Sequence, residues 1–266
     1  MSLKRPPKAL VFDVFGTVVD WETSITNTLI ERSKKSLDDS TEIPQEARNK
    51  ASKFSASDWN SFAKEWRKGY GQFTRGFKRE TDTFITVDEF HHNSLKDLLK
   101  KHELEGLWSE DEVKDISLAW HKLTPWPDSS KGIAQLNKKF ETGTLSNGNT
   151  ALLESLSKYG PLPFNHIVGA DHFGDYKPSP LVYNGVAERL GLQTKDCALV
   201  AAHLHDLAAA KSLGYQVIYV ERPTEDVFAA DAIALARREG WVDMWVDHED
   251  GSEGILEVAR RLGIGD

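Results

Sequence analysis

Apolar positions recur along this chain in two rhythms. Residues 9–12 read Ala-Leu-Val-Phe without interruption, the pattern of a strand buried on both faces, and polarity enters only at Asp13 and the Gly16-Thr17 turn. From about Asp20 to Trp120 the rhythm becomes helical and the background charged. Ile25, Leu29 and Ile30 mark one amphipathic helix. Thr86-Val87-Asp88-Glu89 has the form of a capping box, with Phe90, Leu95, Leu98 and Leu99 behind it, and Ser109-Glu110-Asp111-Glu112 is a second, followed by Val113, Ile116 and Trp120. Pro125-Trp126-Pro127 stops the helices, because consecutive prolines remove donors and restrict the preceding residue.

Beyond the prolines, short apolar runs alternate with helical patterns. Strands are predicted at 140–146, 166–170, 198–202, 216–220 and 244–246. Helices are predicted from Asn149 to the Gly160-Pro161 stop, from Ser179-Pro180 through Val182, Val186 and Leu190, and over 206–213, 227–238 and 252–262. Such alternation implies βαβ units. The predicted fold class is therefore α/β, a doubly wound parallel sheet with a helical insertion after the first strand. Residues 1–20 and 124–266 form its core and residues 21–123 the insertion. An insertion at that point emerges over the carboxyl edge of the sheet, where a lid belongs.

Composition narrows the class. A chain of 266 residues that is 39% hydrophobic can bury a sizeable core. A net charge of −8 speaks against general nucleic-acid or acidic-membrane binding, though not against an anionic small substrate. The single cysteine, Cys197, excludes an intramolecular disulfide and, beside Ala198-Leu199-Val200, reads as buried and inert. No stretch approaches the ~20 apolar residues of a membrane helix, and the amino terminus has no signal-peptide core, so a cytoplasmic location is expected.

Each core strand ends in polar residues that packing does not require. The first delivers Asp13 and Thr17, the second Ser146-Asn147-Gly148, the third Tyr176-Lys177-Pro178, and the fourth His203-Leu204-His205-Asp206. Singly, these read as turn residues, a solvated loop lysine and a helix N-cap. Together they bring Asp, Ser/Asn, Lys and Asp to one sheet edge, the edge at which open α/β sheets hold ligands.

In that order the sequence resembles the haloacid dehalogenase superfamily, and within it the L-2-haloacid dehalogenases. The likeness is carried by Asp13-Val14-Phe15-Gly16-Thr17, Trp66-Arg67 with Tyr70, Pro125-Trp126-Pro127-Asp128, Leu145-Ser146-Asn147-Gly148, and Lys177-Pro178 with Tyr183. The resemblance implies a Rossmann-like core with a helical cap, no cofactor and no metal, and a small haloacid substrate. In similar enzymes cap helices often pair subunits, so a homodimer is open to test. The superfamily's phosphatases carry a second Asp two residues after the nucleophile as proton donor and use magnesium. Phe15 stands there, and a halide leaving group needs no proton.

The roles that follow are those the resemblance implies. Asp13 attacks the α-carbon, expels halide and forms an ester. Lys177 keeps Asp13 ionised, Thr17 holds one of its oxygens, and Asp206 orients and deprotonates the hydrolytic water. Ser146 and backbone amides after Asp13 bind the substrate carboxylate, Arg67 and Asn147 cradle the halide, Phe15 walls the pocket, and Tyr183 supports the polar network. One segment departs from the pattern. Ala201-Ala202-His203-Leu204-His205-Asp206 has Ala201 and His203 where the best-known relatives have serine and asparagine, and the imidazole could hold the water or act as a base. A magnesium-dependent phosphatase of the same superfamily, or a non-catalytic carboxylate- or partner-binding relative, remains as an alternative.

Overall fold

The computed structural model describes residue 3 and residues 5–39, 42–225, 230–248 and 253–265. Val227 and Ser252, the expected starts of two helices, lie outside the described residues. The chain divides into two compact units, Met1–Asp20 with Thr124–Asp266, and Trp21–Leu123. Among the described residues no helix is long and apolar enough to cross a membrane.

The first unit opens with strand β1 (Ala9–Phe12), whose four residues are all buried, and a two-residue strand β2 (Val19–Asp20). Trp21–Leu123 then contributes helices α1 (Trp21–Asp39), α2 (Gln45–Ala51), α3 (Ala56–Gly76), α4 (Val87–Lys101) and α5 (Glu110–Ser117), described below. The first unit resumes with β3 (Thr124–Pro125), antiparallel to β2, then α6 (Ser129–Leu136), β4 (Glu141–Thr144), α7 (Thr150–Tyr159) and α8 (Pro180–Arg189). It closes with β5 (Cys197–Ala201), α9 (Leu204–Ser212), β6 (Gln216–Val220), α10 (Ala230–Glu239), β7 (Met244–Val246) and α11 (Gly254–Arg261). Five of these strands form one parallel sheet in the order β4-β1-β5-β6-β7.

The order places β1 second from an edge, and its register decides where the chemistry goes. Phe12 lies opposite Thr144 on one side and Val200 on the other, so the residues just beyond them share one edge. Ala9 and Val11 pack with Leu199, Val217 and Tyr219 against Tyr183 and Val186 of α8 and Leu207 and Ala210 of α9. Leu10, Phe12, Ala198, Val200 and Ile218, which alternate to the other face, are equally sealed from solvent. Each such Val, Leu, Ile or Phe side chain contributes about 1.5–3 kcal/mol when fully buried, which is why a run with no polar alternation sits inside the sheet. At the crossing of α6 and α11, Gly132 permits close approach, since a Cβ there would lie 2.7 Å from Ile255 Cγ2.

The strand expected at 166–170 does not form. Only His166 bridges to Gly143 in ladder fashion. The Thr144 hydroxyl then intercepts the next rung: Oγ1 donates to the Val168 carbonyl at 2.9 Å and accepts from the Val168 amide at 2.8 Å. Ala170–His172 continues as a single 3₁₀ turn. A side chain has satisfied the backbone groups that a strand partner would take.

In the second unit α1 packs on α3, α3 on α4 and α4 on α5. Both expected capping boxes are present, Thr86 with Glu89 and Ser109 with Glu112, and Ser55 with Asp58 makes a third at the start of α3. The core is aromatic. Trp120 stacks on His91 at 4.4 Å and on Trp21 at 6.1 Å, and meets Trp66 edge-on at 5.4 Å.

Candidate active site

The loop after β1 is held by its carbonyls. Trp126 Nε1 donates to the Gly16 carbonyl at 2.9 Å, Arg222 Nε to that of Thr17 at 2.8 Å, and Ser129 Oγ to that of Val18 at 2.7 Å. Gly16 has φ +87°, a conformation that glycine adopts without Cβ strain. Arg222 is itself fixed by a buried bidentate pair with Asp128, at 2.6 and 2.8 Å. Asp13 therefore projects from a loop whose backbone has three side-chain anchors, Arg222 and Ser129 buried and Trp126 partly so.

Its carboxylate is engaged on both oxygens. Oδ1 accepts from Lys177 Nζ at 2.9 Å; Oδ2 accepts from the Thr17 hydroxyl at 2.8 Å and faces His203 Nδ1 at 2.9 Å. Thr17 is fixed in turn by the Ala202 amide, which donates to its hydroxyl at 2.9 Å. Burial alone would raise the Asp13 pKa, but the Lys177 charge and the His203 hydrogen bond hold the carboxyl well below the usual range. Lys177 Nζ also reaches Asp206 Oδ2 at 2.5 Å, and the Tyr183 hydroxyl donates to Asp206 Oδ1 at 2.6 Å. Desolvation opposes the charge on Lys177, yet Asp13 and Asp206 raise its pKa above that of an ordinary lysine. Burial and then Asp206 push the Tyr183 phenol far up, so it stays a donor.

Asp206 is placed by the start of α9. That helix begins two residues earlier than the sequence suggests, because the His203 carbonyl accepts from the amides of Asp206 and Leu207. Asp206 is thus a residue of the first helical turn, not its N-cap, and its carboxylate serves Lys177 and Tyr183 instead of the backbone.

His203 also differs from expectation. Its Nδ1 faces Asp13, and its Nε2 faces Glu225 Oε2 at 2.7 Å. Ionised carboxylates only accept, so both ring nitrogens donate and the ring is an imidazolium. Burial works against that charge, but the hydrogen bonds to Asp13 and Glu225 push its pKa up to about 10. With both nitrogens engaged, His203 is a donor pair and not the base that the sequence leaves open. Glu225 itself escapes a sequence reading. It follows Arg222-Pro223-Thr224, which looks like an ordinary turn, and the only signal was an acid beside an arginine beyond β6.

The remaining expected residues are distributed as follows. Asn147 Oδ1 accepts from the Lys177 amide at 2.6 Å, so it shapes the lysine loop. Ser146 Oγ accepts from the Gly148 amide at 3.2 Å. Phe15 is 2% exposed, and its ring crowds Gly148, where a Cβ would lie 3.3 Å from Phe15 Cε2. Arg67 belongs to the second unit, its guanidinium over the rings of Tyr70 at 4.6 Å and Trp21 at 5.6 Å. Cys197 is buried, with its thiol pushed up to about 12 by desolvation, and is no nucleophile. The first unit thus brings Asp13, Thr17, Lys177, Tyr183, His203 and Asp206 into one hydrogen-bonded cluster. It can present an ionised, oriented Asp13 carboxylate beside the carboxylate of Asp206.

Comparison with known proteins places this cluster in context. The sequence profile of haloacid dehalogenase-like hydrolases matches residues 7–214. Among curated proteins, the (S)-2-haloacid dehalogenase of Xanthobacter autotrophicus is 28% identical over 127 residues, 47% of this chain and 50% of that one. The chain spans about half the length of the first curated relatives it matches, 50% and 58%. Solved structures match more completely. A defluorinating L-2-haloacid dehalogenase superposes with a TM-score of 0.81 at 28% identity, covering 99% of both chains. Another L-2-haloacid dehalogenase gives a TM-score of 0.78 at 29% identity, covering 96% of this chain and 99% of that one.

Proposed function

This chain belongs to the haloacid dehalogenase-like hydrolase family, and from that premise we propose that it hydrolyses short 2-haloacids to 2-hydroxy acids through an ester on Asp13. The observation that carries this reading is the state of Asp13: ionised, fixed by donors on both oxygens, and followed two residues later by buried Phe15 instead of a carboxylic acid. A carboxylate so held is a nucleophile toward carbon bearing a good leaving group. A phosphoester would gain 10²–10⁴-fold from a general acid at the position of Phe15, which phenylalanine cannot supply.

In the first step an Asp13 oxygen bonds to the α-carbon as the carbon–halogen bond breaks, and the halide leaves with the electron pair. The configuration at that carbon inverts. In the second step water adds to the Asp13 carbonyl carbon and gives its proton to Asp206. The intermediate collapses, the leaving alkoxide takes one of the two water protons to give the 2-hydroxy acid, and the other passes to solvent, which restores the carboxylate. Lys177, bonded to both carboxylates, holds them close, and its charge keeps Asp13 ionised.

The test is chloride release from L-2-chloropropionate, with and without chelator. Release that is indifferent to chelator is expected. Absence of release from any short haloacid, together with magnesium-dependent cleavage of p-nitrophenyl phosphate, would overturn the reading in favour of a phosphatase.

A further inference from the structure

Glu225 stands outside every motif that the sequence offers, yet its carboxylate is inside the cluster, with 10% of its side chain exposed. We propose that Glu225 is a positioning residue for the hydrolytic half of the reaction: it holds His203 so that Nδ1–H, with the Thr17 hydroxyl, stabilises the oxyanion formed on Asp13 Oδ2 when water adds to the ester. This rests on the ester route proposed above.

The argument begins with the two oxygens of Asp13. Among the described residues Oδ1 has one donor, Lys177, whereas Oδ2 has two, Thr17 and His203. Hydrogen bonds withdraw electron density, so the less engaged Oδ1 attacks, and Oδ2 becomes the ester carbonyl oxygen with its donors already in place. When water adds to Cγ, the carbonyl electron pair moves onto Oδ2 and one water proton goes to Asp206. On collapse the bond from Cγ to Oδ1 breaks, the hydroxy acid leaves with Oδ1, the Asp206 proton neutralises its alkoxide, and the second proton of the water passes to solvent, leaving Asp13 a carboxylate again.

Charge balance points the same way. Three carboxylates, Asp13, Asp206 and Glu225, face two cations, Lys177 and His203. Esterification removes one negative charge and the tetrahedral oxyanion restores it at the same oxygen. The surroundings that hold Asp13 ionised in the resting enzyme therefore hold the oxyanion later, with donors that need not move.

Glu225 is what keeps the ring in this role. A neutral imidazole facing two carboxylates would leave one nitrogen without a proton to donate. The turn that presents Glu225 is tight, with its amide donating to the Arg222 carbonyl at 3.3 Å. Thr224 takes a left-handed φ of +70°, a costly conformation for a β-branched residue. Gly16 clears the space, because a Cβ there would lie 2.5 Å from the Glu225 carboxyl carbon. The charged and titratable groups around His203 are Asp13 beyond β1, Lys177 before α8, His205 and Asp206 on α9, and Glu225 beyond β6. His205 lies 5.6 Å away, ring to ring, and its pKa is lowered by partial desolvation and then by the His203 charge.

Rapid-quench chloride release and mass analysis of the Asp13 peptide, with L-2-chloropropionate, test this on the wild type, Glu225→Gln, Glu225→Asp and His203→Gln. Glu225→Gln should release about one chloride per site at near the wild-type rate, then turn over about 10²-fold more slowly, the loss typical of one impaired oxyanion donor. The ester mass should accumulate on Asp13. Its steady-state rate should also decline at a lower pH than the wild type's, because His203 loses its proton earlier, and Glu225→Asp should restore part of both. If chloride burst and turnover in Glu225→Gln fall together, or no ester accumulates, Glu225 is merely structural and the inference is overturned. Should Glu225→Gln fail to fold, His203→Gln must show the burst and the trapped ester, and their absence there overturns it equally. A wild type that shows neither chloride nor ester is a different outcome, since it sinks the ester route itself.

Discussion

His91 in the second unit is buried and His203 in the first is largely so, and desolvation drives both rings toward neutrality. Their surroundings then send them in opposite directions. Two carboxylates face His203 and it stays charged. His91, 1% exposed, lies against Trp120, Trp66 and Tyr70, and among the described residues neither of its ring nitrogens has a hydrogen-bond partner. After burial, the Arg67 and His121 charges lower its pKa further, well below the ordinary value. The same residue is thus a cation in one core and an aromatic plate in the other. Partners decide this, because desolvation pushes both rings the same way.

Removing the anion that defines the charged core gives the largest effect. Asp13→Asn should abolish halide release, by about 10⁴-fold or more, since the amide is a poor nucleophile and the residues of such a site act as a unit. Product analysis in ¹⁸O-water over a single turnover sharpens the point: the oxygen gained by the wild-type product should come from Asp13, not from solvent.

Removing the shared cation comes next. Lys177→Met leaves Asp13 and Asp206 buried and close without their common partner, so denaturant unfolding should show a loss of about 3–5 kcal/mol. If stability is unchanged, the two carboxylates are not confined as the geometry indicates.

The pH dependence of stability then separates the two histidines. His203 has a raised folded pKa, so its contribution is complete below the unfolded value near 6.5 and is lost as pH climbs through about 10. His91 has a lowered folded pKa, so the unfolded chain takes up a proton first, and stability falls as pH drops below about 6.5. Histidine NMR titration should find one ring still protonated at pH 9 and another that takes up its proton only well below the ordinary histidine range. The smallest effect is expected from His91→Phe. It should change neutral-pH stability by less than ~1.5 kcal/mol, as shape-conserving core swaps do, while removing that ring's share of the acid-side loss. A large neutral-pH loss would show that His91 has a polar function and would break the contrast.

Much of the first unit is legible from its residues because most strands of its parallel sheet are short, largely apolar runs bounded by turn signals, as in 197–201 and 216–220, whereas Glu141–Thr144 carries no such run. The segment at 166–170 misleads for a local reason, a threonine hydroxyl that takes over a ladder rung; nothing in its own composition shows this. The members of the charged cluster on β1, before α8 and on α9 stand at strand and helix ends, where a lone polar residue is conspicuous. Glu225 does not. It lies among polar turn residues, and its use is apparent only once the loop beyond β6 is beside the loop beyond β1. Asp128 is similar. Its residue type is visible next to the Pro125-Trp126-Pro127 stop, but its partner Arg222 is 94 positions away.

The close approach of Glu225 to Gly16 has a consequence at the level of sequence change. The two positions are 209 residues apart, yet they occupy one volume, so neither is free to vary alone. An alanine at 16 would displace the carboxylate and with it the ring it holds. A lineage that loses the acid at 225 relaxes the steric constraint on 16, leaving only the constraint of its positive φ. Substitutions at 16 and 225 should therefore appear in pairs, and a double-mutant cycle across them should be strongly non-additive.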